Sequence, residues 1–227
     1  MTKIAQLPFG YGLASLSFIA ALSFGTPAWS QAPLALVEEV RGNPGVEFMD
    51  YVRPGTTIRL GPRDTIVLGY LSSCWRETIS GGTVIVGTEQ SEVQGGKYTR
   101  IKAPCNGGRI DLTPKQANQS AGTTLRAPDD DPPLVYGLSP FFEATGRAAL
   151  LVVSVDKPTE HFTAVLTRKP NSQTSYYDFA GANIALRAGK TYRASIGPRQ
   201  IVFKVDANAK PGRLPIISRL VRFGPAS

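Results

Sequence analysis

Apolar and polar positions alternate with a period of two through much of the second half of the chain. Phe162, Ala164 and Leu166 line one face of a segment whose other face carries Thr163 and Thr167. Tyr192, Ala194 and Ile196 alternate with Thr191, Arg193 and Ser195. Ile201, Phe203 and Val205 alternate with Val202, Lys204 and Asp206. Successive side chains of a β-strand point to opposite faces, so this pattern predicts half-buried antiparallel strands. Residues 64–71 and 149–155 are apolar on both faces, which predicts central strands. Residues 216–223 fit a final strand or a short helix equally well.

The first half is a series of shorter β-prone runs: 36–41, 46–52, 57–60, 64–71, 74–79, 83–87 and 97–102. They are punctuated by Gly42, Pro54-Gly55, Gly61-Pro62, Gly81-Gly82 and Gly95-Gly96. The glycine pairs are expected to be tight turns. None opens a helix, so none is a nucleotide cradle. The 23 glycines and 18 prolines favour turn-rich β structure over long helices. Residues 113–122 carry no large apolar side chain, and Asp129-Asp130-Asp131-Pro132-Pro133 follows. Residues 113–133 are therefore expected to be a linker, with its Asp triplet solvated rather than holding calcium, since no other ligands fall at calcium-loop spacing. The fold expected is all-β, with two small sandwich-like or barrel-like domains at 31–112 and 134–227.

Residues 1–30 have the pattern of a secretory signal peptide. Lys3 is their only charge, and an apolar run from Leu13 to Phe24 precedes Gly25 and Pro27. Ala28-Trp29-Ser30 places small residues where cleavage after Ser30 requires them. The run is short for a membrane span, which takes ~20 residues. An uncleaved anchor is the alternative. Export to the periplasm puts Cys74 and Cys105 in an oxidising compartment and predicts a disulfide between them. Closing that loop adds ~3–4 kcal/mol in the chain-entropy picture.

The candidate chemistry is sparse. One histidine and two cysteines exclude multi-histidine metal centres and thiolate zinc fingers. His161 is the only base for a serine triad, and no Gly-x-Ser-x-Gly elbow occurs. A Cys74–His161 pair or a Glu143–Glu160 pair needs long-range placement that the sequence does not motivate. No catalytic residue, metal or cofactor is assigned, and the chain is expected to be non-enzymatic. The net charge of +8 falls by one when Lys3 is removed. Positive residues gather in the second block, where Arg187, Lys190, Arg193, Arg199 and Lys204 are candidates for binding anionic lipid or glycan. A solubilising surface explains the same charge. Nucleic acid is disfavoured by the compartment.

Val40-Arg41-Gly42, then Val52-Arg53-Pro54-Gly55-Thr56-Thr57-Ile58, then Ile66-Val67-Leu68, followed by glycine-punctuated β segments through Gly87 and Gly96, resemble a FecR-type extracytoplasmic domain. The second block resembles bacterial immunoglobulin-like sandwiches through Leu138-Ser139-Pro140-Phe141-Phe142, Leu186-Arg187-Ala188-Gly189-Lys190-Thr191-Tyr192 and the 201–205 strand. In that likeness Gly189 turns the chain and Tyr192 anchors the next strand. Both resemblances imply an envelope protein and neither implies a catalytic residue. Residues 1–12 are too few for a cytoplasmic anti-sigma segment, so that activity is not carried over. The expectation is a periplasmic protein-binding or sensory-adaptor module whose first block engages an envelope or membrane protein, by strand addition at a sheet edge. Trp75, Arg76 and Tyr98 are the expected anchors, because aromatics and arginine dominate binding hot spots.

Overall fold

Short runs rich in Val, Ile, Thr and aromatics favour extended backbone, and the chain is nearly all β. The computed structural model describes residues 35–107, 132–146 and 149–224. The expected signal peptide at 1–30, and the expected linker at 113–133 as far as Asp131, lie outside them. The described residues all fall within one compact unit.

The first block contains β1 (Ala35–Arg41), β2 (Tyr51–Val52), β3 (Thr57–Tyr70), β4 (Trp75–Ile85), β5 (Glu92–Gln94) and β6 (Lys97–Lys102). They form an antiparallel sheet in the order β2-β1-β3-β4, with β5 and β6 both paired to β4. The sheet curls into a half-barrel around Val37, Ile58, Ile66, Leu68, Ile79 and Val84. As expected from its apolar faces, 64–71 is central, between β1 and β4.

The expected breaks at Gly61-Pro62 and Gly81-Gly82 are not turns between strands. Each lies inside one long strand, β3 or β4. Gly95-Gly96 is not a hairpin turn either. Glu92–Gln94 pairs with Thr83–Ile85 and Lys97–Lys102 with Trp75–Ser80, so β5 and β6 run on as two halves of one line against β4. The two glycine pairs face each other across that line. Gly81, Gly82 and Gly95 have φ of 65°, 80° and 67°. A Cβ on Gly82 would sit 2.4 Å from the Gln94 carbonyl oxygen, and one on Gly96 2.2 Å from that of Gly81. Beside them, the β3–β4 register shifts between Leu60 and Thr65. The glycines thus make a seam across three strands where the sheet bends, since bulges and glycines kink a sheet that side chains would hold flatter. Local sequence does not separate such a bend from a turn, because both use positive φ.

The second block has two facing sheets. One has the order β10-β9-β13-β14-β7, from β7 (Leu134–Gly137), β9 (Ala149–Ser154), β10 (His161–Val165), β13 (Thr191–Ile196) and β14 (Arg199–Lys210). The other has the order β11-β12-β8-β15, from β8 (Phe141–Thr145), β11 (Thr167–Arg168), β12 (Thr174–Asp178) and β15 (Leu220–Arg222). The chain crosses between sheets after β7, β8, β10, β12 and β14, and the core includes Phe142, Val152, Phe179, Tyr192 and Phe203. The predicted alternation holds in β13 and β14, whose 192, 194, 196, 201, 203 and 205 side chains are buried. The 149–155 segment is central, but its second face is open: Leu151 is 38% and Val155 44% exposed. The Tyr192 hydroxyl accepts the Arg187 N–H at 3.0 Å and donates to Glu160 at 3.2 Å. Residues 216–223 prove to be both alternatives in turn, a short helix α1 (Ile216–Arg219) running into β15.

A third core joins the blocks. Leu36, Met49 and Leu71 of the half-barrel pack with Phe141, Ile216, Ile217 and Leu220. Gly69 makes room for it, since a Cβ there would lie 2.6 Å from Ile217 Cγ2. Beside it Glu38, 3% exposed, accepts the Ile217 N–H at 2.8 Å. Tyr51 with Glu143, and Lys169 with Asp50, bridge the same seam.

Candidate functional site

The β5–β6 line forms one margin of the half-barrel sheet. Among the described residues no strand pairs with its outer side. β6 is exposed on both faces, with Tyr98 51% and Ile101 53% accessible. An open strand edge presents unpaired N–H and C=O groups with which another strand can pair. Positive charge borders it at Lys97 and Lys102, which discourages pairing with a second basic edge.

Trp75 and Tyr98 share the concave face, Trp75 opposite Lys102 and Tyr98 opposite Ile79. Trp75 is half-buried, and the Lys102 ammonium stands 4.6 Å from the centre of its ring. Next to Tyr98 opens a cleft of about 430 Å³ lined by Ile85, Gln90, Ser91, Val93 and Arg100. Its wall is rigid. Glu77 is fully buried, accepts the Ser91 N–H at 3.1 Å, and is paired with Arg100 at 2.6 Å. Tyr70 completes the cluster through Ser91 Oγ at 2.8 Å, and burial pushes its hydroxyl up to about 12. Glu77 and Arg100 both lie in β-prone runs, but that they face each other depends on the β4–β6 pairing, which the sequence does not show.

Arg76 is placed elsewhere. It lies on the opposite face of β4 and binds Glu38 at 2.8 Å and Glu39 at 3.0 Å. The predicted disulfide is present: Cys74, just before β4, bonds to Cys105, just after β6, with Cα atoms 5.6 Å apart. Ala103 N–H donates to the Cys74 carbonyl at 2.9 Å, so the β4–β6 pair is stapled at its base.

The basic candidates are dispersed. Arg187 pairs with Glu160 and Lys190 with Asp156, each at 3.2 Å. Arg199 donates to the carbonyls of Gly224 and Thr145 and so ties the segment after β15 to the end of β8. Arg193 and Lys204 are exposed on the outer face of β13 and β14, on neighbouring strands two registers apart. His161 is exposed, and its Nδ1 lies 3.2 Å from the Thr159 carbonyl. Cys74, being bonded, offers no thiol to it.

Comparison with protein-family models, with curated proteins and with solved structures finds no significant match.

Proposed function

We propose that this chain is a non-catalytic binding module of the bacterial envelope that takes an extended, acidic segment of a partner protein as an added strand along β5–β6. The observation that carries the reading is the β6 margin, with Tyr98 and Ile101 exposed on opposite faces of an edge that none of the described strands pairs. Strand addition draws affinity from main-chain hydrogen bonds and specificity from pockets for alternate side chains. The cleft beside Tyr98 supplies such a pocket, and Lys97 and Lys102 favour carboxylates. The Cys74–Cys105 staple supports a periplasmic location, following cleavage after Ser30. The Tyr192 hydroxyl bond to the Arg187 N–H supports the immunoglobulin-like resemblance, where a tyrosine at a strand start ties back to upstream backbone. The FecR-like reading of the first block belongs to the same proposal.

A photo-crosslinking residue at Thr99, compared with one at Lys204, tests this in intact cells. A discrete protein adduct at 99 that disappears with the Y98A/I101A double variant is expected. Adducts to envelope lipid or glycan at 204, with none at 99, overturn it. That outcome favours the second reading, an anionic-polymer surface at Arg193 and Lys204, which rests on their exposure on one face of neighbouring strands, two registers apart.

A further inference from the structure

A second cleft, of about 480 Å³, opens where the end of β1 meets the segment leading into α1. Its lining contains four arginines, Arg41, Arg76, Arg213 and Arg219, against three carboxylates. All three carboxylates are engaged. Glu38 and Glu39 hold Arg76, and Asp178 holds the buried Arg219 at 2.5 Å. Arg219 also donates to the carbonyls of Leu214 and Ser139, so it is fixed in place. Arg41 and Arg213 are exposed, and among the described residues neither has an ion-pair partner. One comes from each block, and they share the cleft. The rest of the wall is apolar, including Phe48, Leu214 and Pro215.

We propose that this cleft binds a small organic anion, its carboxylate or phosphate group held by Arg41 and Arg213 and its apolar body laid against Phe48, Leu214 and Pro215. Guanidinium groups grip carboxylates and phosphates by paired, charge-assisted hydrogen bonds. The acids that would compete for them are already satisfied. Pockets of this size suit small ligands with an apolar wall and a few polar groups. No residue of β5 or β6 lines this cleft, although its Arg76 lies opposite Ile101 in the β4–β6 register, and its ligand test does not depend on a partner at that edge. The cleft also moves anion binding from the β13–β14 surface to a place where charge and shape coincide.

The test uses octyl phosphate, octanoate, octylamine and inorganic phosphate, each below any micelle-forming concentration, in titrations followed by calorimetry and amide chemical shifts. Both octyl anions are expected to saturate one site and to shift residues 38–41 and 213–216. Inorganic phosphate binds more weakly because it lacks the apolar body, and octylamine does not bind. The R41A/R213A double variant weakens the octyl anions by about tenfold or more at low salt. Its unfolding midpoint stays unchanged, because both side chains are exposed. Equal binding by octylamine, shifts centred on Arg193 and Lys204, or wild-type affinity in the double variant each overturn the proposal. If octyl phosphate alone binds, the ligand carries phosphate. If octanoate binds as well or better, a free carboxylate is the natural head group.

Discussion

Removing the disulfide is the sharpest test of how the edge is built. Cys74 and Cys105 are 31 residues apart, and closing a loop of that length restricts the unfolded chain by about 3.7 kcal/mol at 25 °C. The C74A/C105A variant should lose about 3–4 kcal/mol in urea unfolding, with a larger m-value because its unfolded state is less compact. A second variant separates the crosslink from the backbone. Cys74 has φ of +59°, a conformation that costs an L-residue roughly 1–2 kcal/mol and glycine little. The Tyr70 carbonyl, accepting the residue 74 N–H at 3.0 Å, holds this turn whatever the side chain. C74G/C105A should therefore be about 1 kcal/mol more stable than C74A/C105A. Hydrogen exchange locates the effect. Amides of β6 should lose protection first, while those of β13 and β14 keep theirs. A loss below about 1 kcal/mol with β6 still protected would refute the staple, since the entropy argument predicts several times more.

Three further outcomes follow from single contacts. Gly82→Ala should destabilise the half-barrel by several kcal/mol, whereas Gly95→Ala, with the same sign of φ but open space around it, should cost only about 1–2 kcal/mol; equal losses in thermal unfolding would sink the seam argument. Glu38 faces the Ile217 N–H, Arg76 and Arg219, and burial raises its pKa above the ordinary 4.5. Its contribution is thus complete below that value and is lost as pH rises through the folded pKa, so wild type should lose stability relative to Glu38→Gln between acid and neutral pH; the opposite slope means the Arg76 pair outweighs burial. Tyr192→Phe leaves the Arg187 N–H without its acceptor and should cost about 1–3 kcal/mol, read by chemical denaturation with the fold intact by circular dichroism.

Period-two alternation was enough to identify β13 and β14, because a half-buried strand writes its two faces into every second residue, whereas the alternating run 162–167 is divided between β10 and β11 of the other sheet. Two cysteines in an exported-looking chain were enough to name the disulfide. The candidate sites were less legible. Trp75, Arg76 and Tyr98 are close in type and neighbourhood, yet Arg76 points to the other side of the sheet. One residue of offset decides the face of a strand, and only the pairing of β4 with β6 shows which margin is open.

What the sequence determined by itself was the β class, the strand faces and the covalent link, since each depends on residue type and local spacing. The tertiary structure alone decided that the glycine pairs bend a continuous sheet, that Glu38 meets the backbone of Ile217, and that Arg41 and Arg213 share a cleft. These are contacts between positions far apart in the chain. Their energies come from which surfaces close on each other, and local pattern leaves that choice open.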